Sequence, residues 1–427
     1  MTRFRFLISI ILAKAGRPGV LLLVILFSLA SNLSGATTGR IQALGGNGAF
    51  FEDEANILRW YGSLGDYPSQ AVLEAGHFNL PWGYHNETGE ILSGPGLGVH
   101  RFFGNEGNLG TAALYFHGRS PDTDPGSLVR SPLKNTVTAL FCRPLGVVST
   151  TLVFRRATSA TTHTLAGIQI DDPVALDVDH SRTEFGGGVR LDLSASAYLD
   201  LAGEFRHSII REAQTTLAGL LSDNERCSTG SFNLRSRAFL QLGPKAALVP
   251  VTEIIVSDEP LPFRLGANTE SMAGHLVRIG CGLNYYPDTD KLLLLSLDYL
   301  NGRNEFTNIM SDANRLTWAR DWNSFTLGLG AETRFLSWLT FRGSFSYEHL
   351  SRSEAWLNEV IFSGQLHEMD QDSDTLRAYL GAGLHVGSFD LDLALSENFP
   401  RTPAGYLGHE LFPDDNNWLT ATLRREF

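Results

Sequence analysis

Leu339-Thr340-Phe341-Arg342-Gly343-Ser344-Phe345-Ser346-Tyr347-Glu348 is the stretch on which the fold turns. Leu339, Phe341, Gly343, Phe345 and Tyr347 share one parity, and Thr340, Arg342, Ser344, Ser346 and Glu348 the other. Side chains along a strand point alternately to its two faces, so this stretch predicts a strand between an apolar phase and a polar one. The same alternation recurs on both sides of it. Phe325, Leu327, Leu329 and Ala331 oppose Ser324, Thr326 and Glu332. Leu376, Ala378, Leu380, Ala382, Leu384 and Val386 oppose Arg377, Tyr379 and His385, and Phe389, Leu391, Leu393 and Leu395 oppose Asp390 and Asp392. Upstream, Leu199, Leu201 and Phe205 oppose Asp200, Glu204 and Arg206. Phe232, Leu234, Ala238 and Leu240 oppose Asn233, Arg235, Arg237 and Gln241, with Phe239 on the polar side.

The connections sort by length. Short ones sit at 143–146, 243–244, 287–290, 334–337 and 387–388; long polar ones are expected at 158–181, 207–229, 257–272, 302–322, 349–374 and 398–415. Tight turns at one end and long loops at the other are the plan of an outer-membrane barrel, whereas sandwich loops need not sort this way. The expectation is an all-β, antiparallel, up-and-down transmembrane barrel of about 14–16 strands over residues 70–427, most strands running about 10–13 residues. Tyr285, Tyr286, Phe335, Trp338 and Phe427 on the short-turn side, and Tyr299, Tyr347 and Trp418 nearer the loops, suit two interfacial girdles. Pro250 and Gly186-Gly187-Gly188 are where a ladder is expected to break.

Composition agrees. The chain has 427 residues, 43% hydrophobic, with 34 basic and 46 acidic side chains, a formal charge of −12 that speaks against a nucleic-acid partner. Mean hydropathy is −0.05, and no further run of roughly 20 apolar residues follows position 36, so a helical membrane protein is excluded. At the start, Arg3, Arg5, Lys14 and Arg17 precede the apolar run 20–30, and Ser34-Gly35-Ala36 follows. That order predicts a secretory signal peptide over 1–36 with Thr37 the first mature residue. Three scattered cysteines build neither a disulfide framework nor a zinc cage.

On the inward parity lie Asp200, Glu204, Arg206, Arg235, Arg237, Arg278, Asp298, Glu332, Arg342, Glu348, Arg377, Asp390, Asp392 and Arg424. Unpaired charges in a dry interior are costly, so these must pair, face water or hold an inserted segment. Glu204, Arg235, Arg237, Arg278, Glu332, Arg342, Arg377 and Arg424 are the lumen candidates. The terminal strand ends Leu423-Arg424-Arg425-Glu426-Phe427, and a closing phenylalanine resembles the signal read by the barrel-assembly machinery.

Residues 40–62 do not alternate. Ala43-Leu44-Gly45-Gly46 is followed by Gly48, then by Asp53-Glu54-Ala55-Asn56 and Trp60. Here the chain resembles the FadL/PorV-like superfamily of bacterial outer-membrane proteins, which carries an Ala-Leu-Gly-Gly motif and an acidic-Ala-Asn-x-x-x-Trp-Asn-Pro-Ala stretch. Tyr61-Gly62-Ser63 stands where the family has Asn-Pro-Ala, and the specific resemblance covers 43–60. It implies a luminal plug, placed over 37–69, with Ala43, Leu44, Gly45, Gly46, Gly48, Asp53, Glu54 and Asn56 as its marked residues. It further implies passage of small hydrophobic solutes or, in other members, service as a secretion shuttle. Arg40 and the acids at 52–54 suit pairing with lumen charges of opposite sign.

Enzyme signatures do not hold together. Ser131-Pro-Leu-Lys134 has no companion motif. Asp370-x-Asp372-x-Asp374 lacks the glycine and glutamate of a calcium loop, leaving at most a loose surface site near lipopolysaccharide. His367-Glu368 has no partner serine or second His–acid pair, and Asn86-Glu-Thr88 is a sequon by pattern only. No catalytic residue, metal or cofactor is expected. The expected partners are membrane lipid and lipopolysaccharide, the assembly machinery through Phe427, and a small hydrophobic solute. The reading is therefore an outer-membrane channel or transporter with a plugged lumen; the alternative is a non-conducting partner or shuttle that binds through long external loops.

Overall fold

A computed structural model describes residues 38–45, 48–67, 69–76, 96–104, 109–117, 135–164, 173–194, 197–216, 221–260, 271–311, 314–358, 366–399 and 419–427. The expected signal peptide, Gly46, Asn86, Ser131–Lys134 and Trp418 lie outside these.

Sixteen antiparallel strands close into one barrel, each paired with its sequence neighbours and the first with the last. They are β1 (Gln70–Gly76), β2 (Gly96–Phe103), β3 (Gly110–His117), β4 (Asn135–Leu145), β5 (Val148–Thr164), β6 (Pro173–Ser194), β7 (Ala197–Thr216) and β8 (Leu221–Gly243). The circuit continues with β9 (Ala246–Pro260), β10 (Ser271–Tyr285), β11 (Lys291–Ser311), β12 (Asn314–Leu336), β13 (Leu339–Asn358), β14 (Leu366–Val386), β15 (Phe389–Phe399) and β16 (Leu419–Glu426). Closure leaves no free edge, and Gln70 pairs with Glu426 where β1 meets β16.

The opening stretch sits as its parity demands. Phe345 is 59% exposed on the outer surface while Ser344 and Glu348, on the other face, are 3% and 2% exposed. The outer face of β11 carries an apolar band of Leu293, Leu295, Leu297 and Tyr299, within a strand long enough to cross the hydrocarbon when tilted. Beyond it the outward positions turn polar: the Tyr299 hydroxyl donates to Asn323 Oδ1 at 2.9 Å and the Tyr347 hydroxyl to Asp374 Oδ1 at 2.8 Å. Tyr285, Phe335, Trp338 and Phe427 are exposed at the short-turn end. An apolar exterior on a closed, even-stranded antiparallel barrel is the build of a bacterial outer-membrane protein.

Several expectations are corrected, strand length among them, since of the described strands only β4 and β15 fall within about 10–13 residues. The stretches 158–181, 207–229, 302–322 and 349–374 are mostly strand, not loop: β11 reaches Ser311 and β12 begins at Asn314, and β12 and β8 each have 23 residues. Above the membrane both faces of the wall meet polar surroundings, so the alternation fades while the ladder continues. Among the described residues the tallest part of the wall is β5–β8 and β11–β14, with strands of 17 to 23 residues. A further correction is Tyr286, which packs inward against a buried cluster instead of joining the girdle.

Gly186–Gly188 pair without interruption to both neighbours. At Pro250 the ladder does break: Arg237 pairs with Val251 and Leu240 with Leu248, but no pair joins them between. Proline has no N–H to give, and the wall between β8 and β9 is unzipped there.

Candidate functional site

Residues 38–45 and 48–67 lie inside the barrel. Their backbone is compact because local side chains terminate each turn. Helix α1 (Thr38–Ala43) stops where Gly45 adopts φ +97°, the left-handed conformation glycine tolerates at a helix end, and its N–H bonds Gln42 O at 3.0 Å. Asn56 donates to the carbonyls of Gly48 and Phe51 at 2.7 and 2.8 Å, which ties down the glycine turn. A Cβ at Gly48 would stand 2.7 Å from both Asn56 Oδ1 and Ile41 Cδ1, so glycine is required. Asp53 caps the following turn, accepting from Ala55 N at 3.0 Å.

Two apolar feet hold this segment against opposite walls. Ile41, Leu44, Ala49, Phe50, Phe51 and Trp60 pack on Val249, Val251, Leu292 and Leu294 of β9 and β11. Ile57, Leu58, Tyr61 and Leu64 pack on Ala113, Tyr115, Leu140, Cys142, Val153 and Ala202 of β3–β5 and β7. Each large side chain so buried contributes about 1.5–3 kcal/mol. The backbone also touches the wall directly. A Cβ on Gly62 would fall 2.4 Å from Arg190 N, and one on Gly188 2.8 Å from Tyr61 Cβ. The glycine run of β6 is thus a seat for the segment, and its ladder stays whole.

Ion pairs ring the feet. Arg40 clasps Glu332 with two bonds of 2.7 and 3.0 Å, and Arg342 shares that carboxylate at 2.6 Å while also pairing with Asp392. Arg424 bridges Glu54 at 2.5 Å and Asp390. Arg59 and Arg235 meet Glu253 at 2.9 and 2.6 Å, and Arg278 meets Asp298 at 2.6 Å. Arg190 and Arg237 flank Asp200, each at 2.7 Å; Arg190 reaches Glu52 at 3.2 Å and Asp66, and Arg237 donates to Phe51 O at 3.2 Å. Tyr61 donates to Glu204, which pairs with Arg235 at 3.2 Å, and Arg155 pairs with Glu184 at 2.6 Å. Removing one member of such a buried pair costs about 3–5 kcal/mol. In the segment itself, burial outweighs the nearby arginines: it pushes the Asp53 carboxyl up to about 7, against Arg40, and that of Glu54 up to about 8, against Arg424.

The structure brings Ala43, Leu44, Gly45, Gly48, Asp53, Glu54 and Asn56 together with Glu204, Arg235, Arg237, Arg278, Glu332, Arg342 and Arg424 in this layer. Arg377 stands apart, paired with Glu348 at 3.1 Å. Sequence reasoning missed Arg59, Arg155, Arg190, Glu253 and the seating glycines. Arg190 and Glu253 occupy inward parities, so extending the alternation over β6 and β9 would have found them. Phe239, the residue that breaks parity on β8, packs against the segment's apolar foot.

Directly external to the ionic layer lies an apolar arc. Ile255, Leu276, Leu300, Trp322 and Leu350 form one buried cluster across the five adjacent strands β9–β13. Register makes it continuous: Ile255 pairs Leu276, Leu276 pairs Gly302, and Gly302 pairs Trp322. The indole lies flat on Gly302, where a Cβ would stand 2.2 Å from the ring. Among the described residues no group of His, Cys, Asp or Glu is arranged to hold a metal.

No protein-family model matches the sequence, and no curated protein does. Among solved structures, a FadL homologue of Pseudomonas aeruginosa is 11% identical over 93% of this chain and 100% of its own, with a TM-score of 0.46. The toluene transporter TbuX of Ralstonia pickettii is 11% identical over 94% of this chain and 100% of its own, at 0.43. CdiB from Escherichia coli is 9% identical over 84% of this chain and 63% of its own, at 0.45. At these identities and scores the likeness is one of general build, and any functional reading rests on the lumen itself.

Proposed function

We propose that the chain is an outer-membrane transporter that admits a small hydrophobic solute to a lumen closed by its N-terminal segment. On this reading residues 1–36 direct export and are removed, residues 37–69 act as the plug, and residues 70–427 form the conduit. The observation that carries it is the apolar arc of Ile255, Leu276, Leu300, Trp322 and Leu350, set in an otherwise charged lumen. These side chains are packed together and nearly fully buried, and an apolar solute that took the place of part of that packing would be favoured there over an ion. The resemblance of residues 43–60 to the FadL/PorV-like superfamily supports the same reading. Assembly through Phe427 and contact with lipopolysaccharide belong to the proposal as well.

The test is conductance and solute flux of the refolded protein in planar bilayers and liposomes, with and without residues 37–65. Silence from the full chain, open channels after truncation, and uptake of an apolar solute that falls severalfold in Leu300→Asp are expected. Steady conductance from both forms would make it a general porin. Silence from both, without uptake, would leave the interaction partner as the better reading.

A further inference from the structure

Opposite the apolar arc, the lumen carries a second and chemically different surface. In a ring of sixteen strands β2 and β3 face β10 and β11. On the inward side of β1–β4 stand Gln70, Glu74, His100, Tyr115, His117 and Thr136, all but Glu74 buried. The wall is cut back to seat their rings: a Cβ at Gly96 would stand 2.7 Å from His117 Cδ2, and one at Gly98 2.2 Å from Tyr115 Cε1. Register sets His117 beside Thr136 and Gly96, and Gly96 beside Glu74.

The hydrogen bonds fix which atoms are spoken for. Gln70 Nε2 reaches His100 Nδ1 at 3.4 Å, so that nitrogen accepts and His100 Nε2–H faces the Tyr115 hydroxyl oxygen. The Tyr115 proton is then left to donate elsewhere. His117 Nε2 stands 3.8 Å from Glu74 Oε2, beyond hydrogen-bond reach, but the nearby carboxylate favours the ring proton on that nitrogen and Nδ1 as the acceptor. Among the described residues His117 Nδ1 and Thr136 Oγ1, both buried, have no hydrogen-bond partner. Buried polar atoms are nearly always satisfied, and two on adjacent strands facing one lumen point to something that satisfies both.

We infer that His117 and Thr136, backed by Tyr115, form a binding site for an uncharged hydroxyl group, an alcohol or phenol, carried by the solute. Such a hydroxyl donates to His117 Nδ1 and accepts from Thr136, or from Tyr115. A carboxylate fits poorly, because it brings no proton for Nδ1 and approaches Glu74. The inference rests on the reading of the lumen as a solute route and names the class of solute it selects.

The test compares 1-naphthol with naphthalene, which lacks only the hydroxyl, by calorimetric titration of the full-length protein in amphipol. Wild type is expected to bind 1-naphthol at least about tenfold more tightly, the effect of one well-placed buried hydrogen bond. In Thr136→Val and in His117→Phe the ratio is expected to collapse toward one, whereas Trp322→Ala, on the opposite wall, lowers the affinity for naphthalene and leaves that for 1-naphthol in place. Heat-modifiable gel migration verifies that each variant is folded. Equal affinities in wild type, or a ratio untouched in both site variants, would overturn the inference and leave the hydrophobic route standing. Binding of 1-naphthol alone, lost in Thr136→Val, would uphold this site and remove the apolar route. Binding of neither ligand would overturn both.

Discussion

Glu54 and Asp53 are the residues at which pH acts on the plug. Burial holds both carboxyl groups above their ordinary range, at about 8 and about 7. A docked segment therefore binds protons more tightly than a released one, whose carboxylates titrate near about 4. The docking contribution is full below that value, is lost as pH climbs toward about 8, and is flat beyond. Proteolysis of the segment in the folded barrel should quicken at least about tenfold between pH 5 and pH 8.5, a shift worth one pKa unit or more. Glu54→Gln, which keeps a neutral side chain in the same place, should flatten that dependence; an unaltered slope would remove Glu54 from the account. Gly62 makes a steric prediction at the same scale. Its missing Cβ leaves room for Arg190 N, 2.4 Å from where that carbon would sit. Gly62→Val should loosen the plug by about 1–3 kcal/mol, the ordinary cost of overpacking, and raise bilayer conductance above the silent full-length baseline.

At the scale of the element, the strands show which parts of this molecule could be read in advance. Phe341, Phe345 and Leu380 declare their parity because lipid lies on one side of the wall and polar groups on the other. Above Tyr299 and Tyr347 that contrast disappears: Arg303 and Asp321 face outward and Arg320 and Glu354 inward, so charge stands on both faces. Alternation of polarity cannot be seen where both sides are polar, and long strands passed for loops. The plug was legible only as a motif. Its seats, such as Gly188 under Tyr61 and Gly282 under Phe50, depend on distances between segments far apart in the chain. Pro250 is the exception, since a missing N–H is visible in sequence and the ladder to β8 is indeed open beside it. If that opening serves the solute, a residue able to donate should narrow it. Pro250→Val is expected to reduce flux of an apolar solute severalfold while leaving the barrel's heat-modifiable migration as it was; undiminished flux would assign the gap a purely structural role.

For the whole molecule the decisive question is whether wall and plug form one body. The ionic layer argues that they do, since Glu332, Glu253, Asp200 and Asp390 each meet arginines, and those arginines or the same carboxylates also reach into the segment. The chain carries its own reporter of that union. Cys142 on β4 is buried in the cluster formed with Ile57, Leu58, Tyr61 and Leu64, and Gly65 lies over its sulfur, with a Cβ position 3.4 Å away. Cys281 is half-buried at an outward position among lipid-facing side chains. With Cys227 replaced by serine, a water-soluble maleimide should label neither thiol of the full-length protein in liposomes. Deleting residues 37–65 should expose Cys142 to that reagent and raise its labelling at least about tenfold, in step with the loss of a docking contact worth more than 1.4 kcal/mol. A membrane-permeant maleimide should reach Cys281 equally in both forms, which controls for misfolding. Equal labelling of Cys142 with and without the segment would mean that the plug leaves its seat freely. The ion pairs would then be latches in exchange with water and not the fixed joints of a closed pore.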